Sequence, residues 1–114
     1  MERPLTSSGV ATVTEHELRP MLSRANPPLL LDVREPDEWQ LCRIEGAQHL
    51  PTSQIEQRMA ELDPTRETVV YCHLGVRSQM VAEFLITKGF SRVASLAGGI
   101  DAWSVCVDPT VTRY

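Results

Sequence analysis

Cys72 is followed directly by His73, Leu74, Gly75, Val76, Arg77 and Ser78. A cysteine reacts as its thiolate, so its chemistry depends on what surrounds the charge. This segment joins a β-branched run at residues 68–71 to an apolar-periodic stretch at residues 78–88. That pattern predicts a strand, a tight turn and a helix. Such a turn leads out of the carboxyl end of the strand and presents backbone amides and a helix amino terminus to whatever sits in it. Gly75 is the loop residue that takes a positive φ without steric cost, as a backbone curling around one atom requires. Arg77 adds a cation. Together they favour an anionic sulfur, and the expected chemistry is nucleophilic attack by Cys72 followed by transfer of the captured group. An inert buried thiol is the alternative, since free cysteine is often buried, and the loop and the arginine together weigh against it. Cys42 and Cys106 lie in no glycine-containing turn and are expected to be packing residues.

The remaining composition narrows the class. The 114 residues are 42% hydrophobic and 23% charged, an ordinary globular mix. A chain of this length can bury roughly two-thirds of its unfolded surface in one core. A formal net charge of -4 gives no general attraction to nucleic acid or anionic lipid, so no nucleic-acid and no membrane partner is expected. Residues 1–10 carry no apolar run of signal-peptide length, and no segment approaches the ~20 apolar residues of a membrane span. A cytoplasmic location is the resulting expectation. Three widely spaced cysteines, with no Cys-x-x-Cys pair, predict neither a disulfide framework nor a zinc site. No metal and no cofactor is called for. His16 and His49 are read as structural, and Trp39 and Trp103 as core or rim packing.

The elements that must position Cys72 alternate along the chain, without repeats or linkers. Residues 9–13 form a β-branched run. Thr14 and Glu17 have capping-box spacing, starting a helix that ends before Pro27 and Pro28. Residues 29–33 read as a strand buried on both faces, with a short helix after Pro36. Residues 47–50 are a weaker strand. Ser53 and Glu56 repeat the capping-box spacing before a helix toward Leu62, stopped at Asp63 and Pro64. After the strand at 68–71 and the helix at 78–88, Gly89 stands at a left-handed cap position. A strand at 93–96 follows, then Gly98 and Gly99 and a brief helix carrying Trp103. Strands separated by helices imply right-handed crossovers and a central parallel sheet of about five strands with helices on both faces, an α/β fold in one domain spanning residues 1–114.

Four segments carry a family resemblance: Asp32-Val33-Arg34-Glu35-Pro36, Gly46-Ala47 ahead of Pro51, the loop from Cys72 to Ser78, and Gly98-Gly99-Ile100-Asp101-Ala102-Trp103. In order and spacing they resemble the rhodanese homology family over nearly the whole chain. The resemblance implies a rhodanese-like fold and a sulfurtransferase in which Cys72 takes sulfane sulfur from thiosulfate or a similar small donor, holds it as a persulfide and gives it to a thiophilic acceptor. It implies binding by His73, Leu74, Gly75, Val76, Arg77 and Ser78, and support from Asp32 and Arg34 without contact to sulfur. His73, where many relatives have Arg or Lys, either steers an anionic donor or sits solvated on the loop. Cys42-Arg43 also departs from the Gly-His common in relatives.

Two rival readings keep the fold and change the chemistry. A thiolate and an arginine in an amide cup also describe a cysteine-dependent phosphatase or arsenate reductase. Those enzymes have five residues between Cys and Arg, whereas four separate Cys72 from Arg77. A non-catalytic docking module is the other rival, although such modules look as if they have lost the cysteine that is present here. Residues 107–114 resemble the end of rhodanese modules fused to molybdopterin-synthase-type adenylyltransferases, which makes a sulfur-carrier protein a candidate acceptor. No adenylyltransferase is present in this sequence.

Overall fold

The computed structural model describes residues 10–114. Five strands form one parallel sheet: β1 (Ala11–Val13), β2 (Leu29–Asp32), β3 (Gln48–His49), β4 (Thr68–Tyr71) and β5 (Val93–Leu96), in the order β1-β5-β4-β2-β3. Five α-helices accompany them: α1 (Glu15–Leu22), α2 (Pro36–Leu41), α3 (Ile55–Arg58), α4 (Val76–Thr87) and α5 (Gly99–Cys106). The expected α/β architecture is thus observed. Gly9, in the first expected strand, lies outside the described residues, as does the rest of the segment 1–9 expected to carry no signal peptide.

The central strands are apolar on both faces because helices cover both. Alternate residues of β2 and β4 divide between two cores. Leu31, Val70 and the residue after β4, Cys72, pack with Ile55, Val81 and Leu85 of α3 and α4. Leu30, Val69 and Tyr71 pack with Leu18, Ile100 and Trp103 of α1 and α5. A strand's side chains alternate between faces, so the short run at 68–71 serves two cores and fixes which face Cys72 joins.

The chain leaves β2 toward β3 on one side and leaves β4 toward β5 on the other. Between β2 and β4 the winding therefore reverses, and the carboxyl ends of the strands there frame a crevice, the usual ligand position in an open α/β sheet. Arg34 follows one of these strands and Cys72 the other.

Two expectations need correction. Helix α4 begins at Val76, two residues before Ser78, because Gly75 at φ 111° acts as a left-handed amino-terminal cap and lets the helix start at once. The loop proper is correspondingly shorter. The capping box expected at Ser53 does not form. Thr52 spends its hydroxyl on the Val33 carbonyl (2.8 Å), and the chain passes through a 3-10 turn, the single turn of α3 and a second 3-10 turn. The box at Thr14 does form, with Glu17 N–H donating to the Thr14 hydroxyl at 3.2 Å and Thr14 N–H to the Glu17 carboxylate at 2.9 Å. Gly89 takes its left-handed conformation after α4, at φ 96°.

Candidate functional site

Cys72 is only 1% exposed. Its Sγ accepts hydrogen bonds from the Gly75 amide (3.2 Å) and the Ser78 amide (3.4 Å), and its thiol donates to Ser78 Oγ at 3.5 Å. Ser78 Oγ in turn donates to the Gly75 carbonyl (3.2 Å) and shares a 2.8 Å hydrogen bond with Ser95 Oγ of β5. The sulfur therefore sits at the amino-terminal end of α4, a twelve-residue helix whose dipole favours an anion there. Two backbone amides converge on one atom because Gly75 turns the chain back. A Cβ on Gly75 would also lie 3.4 Å from the Gly98 amide nitrogen, so the neighbouring turn packs tightly behind it.

The loop is held from outside by α5. The amides of Ile100 and Asp101 donate to the carbonyls of Cys72 (2.9 Å) and His73 (3.1 Å). A Cβ on Gly99 would collide with those same carbonyl oxygens. The Gly98-Gly99 pair is thus what allows α5 to clamp the backbone of the cysteine turn.

On the other side of the crevice a charged network closes the site. Arg34, fully buried, makes a forked contact to Asp32, with Nη2 to Oδ2 at 2.7 Å and Nε to Oδ1 at 3.0 Å, and donates to the carbonyls of Glu38 and Cys42. Its Nη1 also donates to the Tyr114 hydroxyl at 2.9 Å. Burial works against this cation, but hydrogen bonds to Asp32 and Tyr114 outweigh it and raise its pKa above the usual arginine value. Arg77 binds both oxygens of Glu38, at 2.6 and 3.0 Å, and Tyr114 donates its hydroxyl to Glu38 Oε2 at 2.6 Å. Hydrogen bonds from Arg77, opposed by burial and reinforced by Tyr114, hold the Glu38 carboxyl at about 2. The ring of Tyr114 stacks on His73 with centroids 4.0 Å apart.

A family model described as "Rhodanese-like domain" matches residues 14–106, an interval that contains β2, the Cys72 loop and the Gly98-Gly99 turn. The chain belongs to the rhodanese-like domain family.

Among its relatives is a protein named probable adenylyltransferase/sulfurtransferase MoeZ from Mycobacterium tuberculosis H37Rv, 39% identical over 106 residues, which cover 91% of this chain and 27% of MoeZ. The chain thus spans about a quarter of that relative's length. A protein named sulfurtransferase from Allochromatium vinosum is 36% identical over 95 residues, covering 83% of this chain and 89% of its own length. A solved rhodanese-like domain protein from Staphylococcus aureus superposes with a TM-score of 0.79 at 26% identity, covering 90% of this chain and 97% of the other.

Within this rhodanese-like domain the predicted residues fall into four groups. Cys72, Gly75 and Ser78 meet at the sulfur, but Ser78 is fully buried behind it. Leu74 and Val76 project outward, 59% and 69% exposed. Arg77 turns to Glu38 and makes no hydrogen bond to Sγ, and the His73 ring lies under Tyr114. Asp32 and Arg34 brace β2, α2 and Tyr114 without touching the Cys72 sulfur; the sulfur Arg34 meets is that of Cys42, to which Nη1 donates at 3.8 Å. Sequence reasoning missed Glu38, Ser95 and Tyr114. Glu38 stands three residues after the helix-capping Glu35 and reads as a capping residue, which it also is. His49 stacks on Trp39 and bonds the Arg34 carbonyl, a structural place as expected. Cys106 and His16 do not pack in the core: both are exposed, Cys106 ending α5 on its solvent side.

Proposed function

We propose that the chain is a sulfurtransferase in which Cys72 attacks the outer sulfur of a sulfane donor, keeps that sulfur as a persulfide and passes it to a thiophilic acceptor. With thiosulfate as the reference donor, the Cys72 thiolate forms the new S–S bond while the sulfur–sulfur bond of thiosulfate breaks, and sulfite leaves with the electron pair. A nucleophilic acceptor such as cyanide then attacks the outer sulfur, the S–S bond breaks toward Cys72 and the thiolate is restored; with the adenylated tail of a sulfur-carrier protein the terminal persulfide sulfur is the attacking group, AMP leaves, and an external thiol cleaves the resulting acyl disulfide to release the thiocarboxylate. The observation that carries this reading is the Sγ of Cys72 under the convergent amides of Gly75 and Ser78, a donor set sized for one anionic sulfur. The relatives named as sulfurtransferases support it. Gly75 and Ser78 hold the sulfur, His73, Leu74, Val76 and Arg77 form the rim that receives donor and acceptor, and Asp32 and Arg34 support the loop. A reducing compartment such as the cytoplasm suits its free thiols.

The phosphatase or arsenate reductase reading fares worse on a specific point. Its arginine must face the bound oxyanion, whereas Arg77 is paired with a carboxylate at the mouth of the cup. A docking module without chemistry leaves the convergent amides at Cys72 unexplained.

Intact-mass measurement after exposure to thiosulfate tests the proposal. The wild type, Cys42→Ser and Cys106→Ser should each gain one sulfur atom, and Cys72→Ser should gain none. A persulfide on Cys42 or Cys106, or rapid hydrolysis of an aryl phosphate by the unaltered protein, overturns it.

A further inference from the structure

The Cys72 cup is bordered by charges that cancel in pairs. Arg77 is bound through both nitrogens to Glu38, Arg34 through a fork to Asp32, and Arg113 to Asp101 at 2.9 Å. Arg77 is the cation placed nearest the sulfur by sequence. Its partner Glu38 does not drift: its Oε1 also accepts the Glu35 amide (3.0 Å), and its Oε2 takes the Tyr114 hydroxyl, itself fixed by Arg34 and by stacking on His73. The side chains of Glu38 and Arg77 are 16% and 35% exposed, so solvent screens the pair only in part. An incoming anion meets Arg77 as half of a neutral ion pair, which leaves the loop amides and the amino terminus of α4 to offset its charge. Beside it stand two apolar side chains, Leu74 and Val76, largely exposed.

On this basis we propose that Glu38, locked by Tyr114 onto Arg77, is a donor-selecting residue that disfavours thiosulfate and favours a persulfide carried on an organic thiol. The inference rests on the sulfurtransferase reading and names its donor class. Thiosulfate brings two negative charges in a small inorganic ion, and the attacking thiolate adds a third. An organic persulfide brings one charge at its reacting end and an organic body for the apolar rim. The step is balanced: the Cys72 thiolate bonds to the outer sulfur of R–S–S⁻, that S–S bond breaks, and R–S⁻ leaves with the electron pair.

Glu38→Gln tests this, because it keeps the shape and the acceptor oxygen while removing the charge. The readout is the ratio of kcat/KM for thiosulfate to kcat/KM for cysteine persulfide, with cyanide as acceptor. The ratio should rise on the order of tenfold at low ionic strength, through a lower KM for thiosulfate, and the rise should shrink in high salt. Tyr114→Phe, which frees Glu38 of one hydrogen bond, should move the ratio the same way by less. An unchanged or lower ratio, or equal losses of kcat with both donors as a loosened structure would give, overturns the proposal. The two readings fail separately. If no donor leaves a sulfur atom on Cys72, the sulfurtransferase reading itself falls; a Cys72 persulfide with an unmoved ratio removes the donor selection alone.

Discussion

At the scale of single residues, the site depends on polar groups with few alternatives. Ser78 Oγ touches the buried thiol, the buried Ser95 Oγ and the partly buried Gly75 carbonyl. Ser78→Ala removes the bridge and strands the Ser95 hydroxyl, so it should cost about 1–3 kcal/mol in urea unfolding. It should also slow alkylation of Cys72 by iodoacetamide, since one of the groups against the sulfur is lost. Arg34 is the larger commitment. Arg34→Met leaves the Asp32 carboxylate without its counter-ion, and losing one partner of a buried pair costs about 3–5 kcal/mol. A loss of unfolding free energy below about 1 kcal/mol would mean that water or a side-chain shift replaces the guanidinium. Sequence spacing identified Cys72 and Gly75, because the turn between strand and helix is local, and the family resemblance pointed to Asp32 and Arg34 as supports. It missed Glu38 and Tyr114, whose contacts with Arg77 and Arg34 span 39 and 80 residues.

At the scale of elements, the amino terminus of α5 is part of the site's construction. Gly99→Ala would drive a methyl group into the carbonyls of Cys72 and His73, so the variant should unfold at lower urea and lose sulfur transfer together. Gly98, whose added Cβ would meet the Ala102 side chain, should tolerate alanine better if Ala102 is made glycine at the same time. Strands β4 and β5 matched their apolar runs to the residue, since buried central strands have an unambiguous pattern. Boundaries shifted where side chains found partners that short-range reasoning does not see. The Thr52 hydroxyl bonds the Val33 carbonyl and the chain at Ser53 runs as a 3-10 turn without a side-chain cap, and the left-handed Gly75 lets α4 start two residues earlier.

At the scale of the whole molecule, the Arg77–Glu38–Tyr114–Arg34 network ties α4 and the segment after α5 to the β2–α2 corner. Its contribution to stability follows the Glu38 carboxyl. Folding lowers that pKa from the ordinary 4.5 to about 2, so the contribution is fully present above the ordinary value and fades as pH falls through the folded one. Wild type should therefore be more stable than Glu38→Gln at neutral pH, and the difference in thermal midpoint should vanish on acidification toward about pH 2. A difference that stayed constant over this range would assign the effect to packing. Among the described residues no helix is long and apolar enough to cross a membrane.

The clamp of α5 on the cysteine turn also makes a built-in reporter. The Ile100 and Asp101 amides are protected from solvent deuterium by the carbonyls of Cys72 and His73, so they exchange only when the turn lifts away from the helix. The proposed persulfide adds an atom to Cys72 inside that turn, so the exchange rates of these two amides should differ between protein treated with a sulfur donor and untreated protein while those of β4 stay fixed. Two backbone protons thus record, from outside the cup, how often the cup opens.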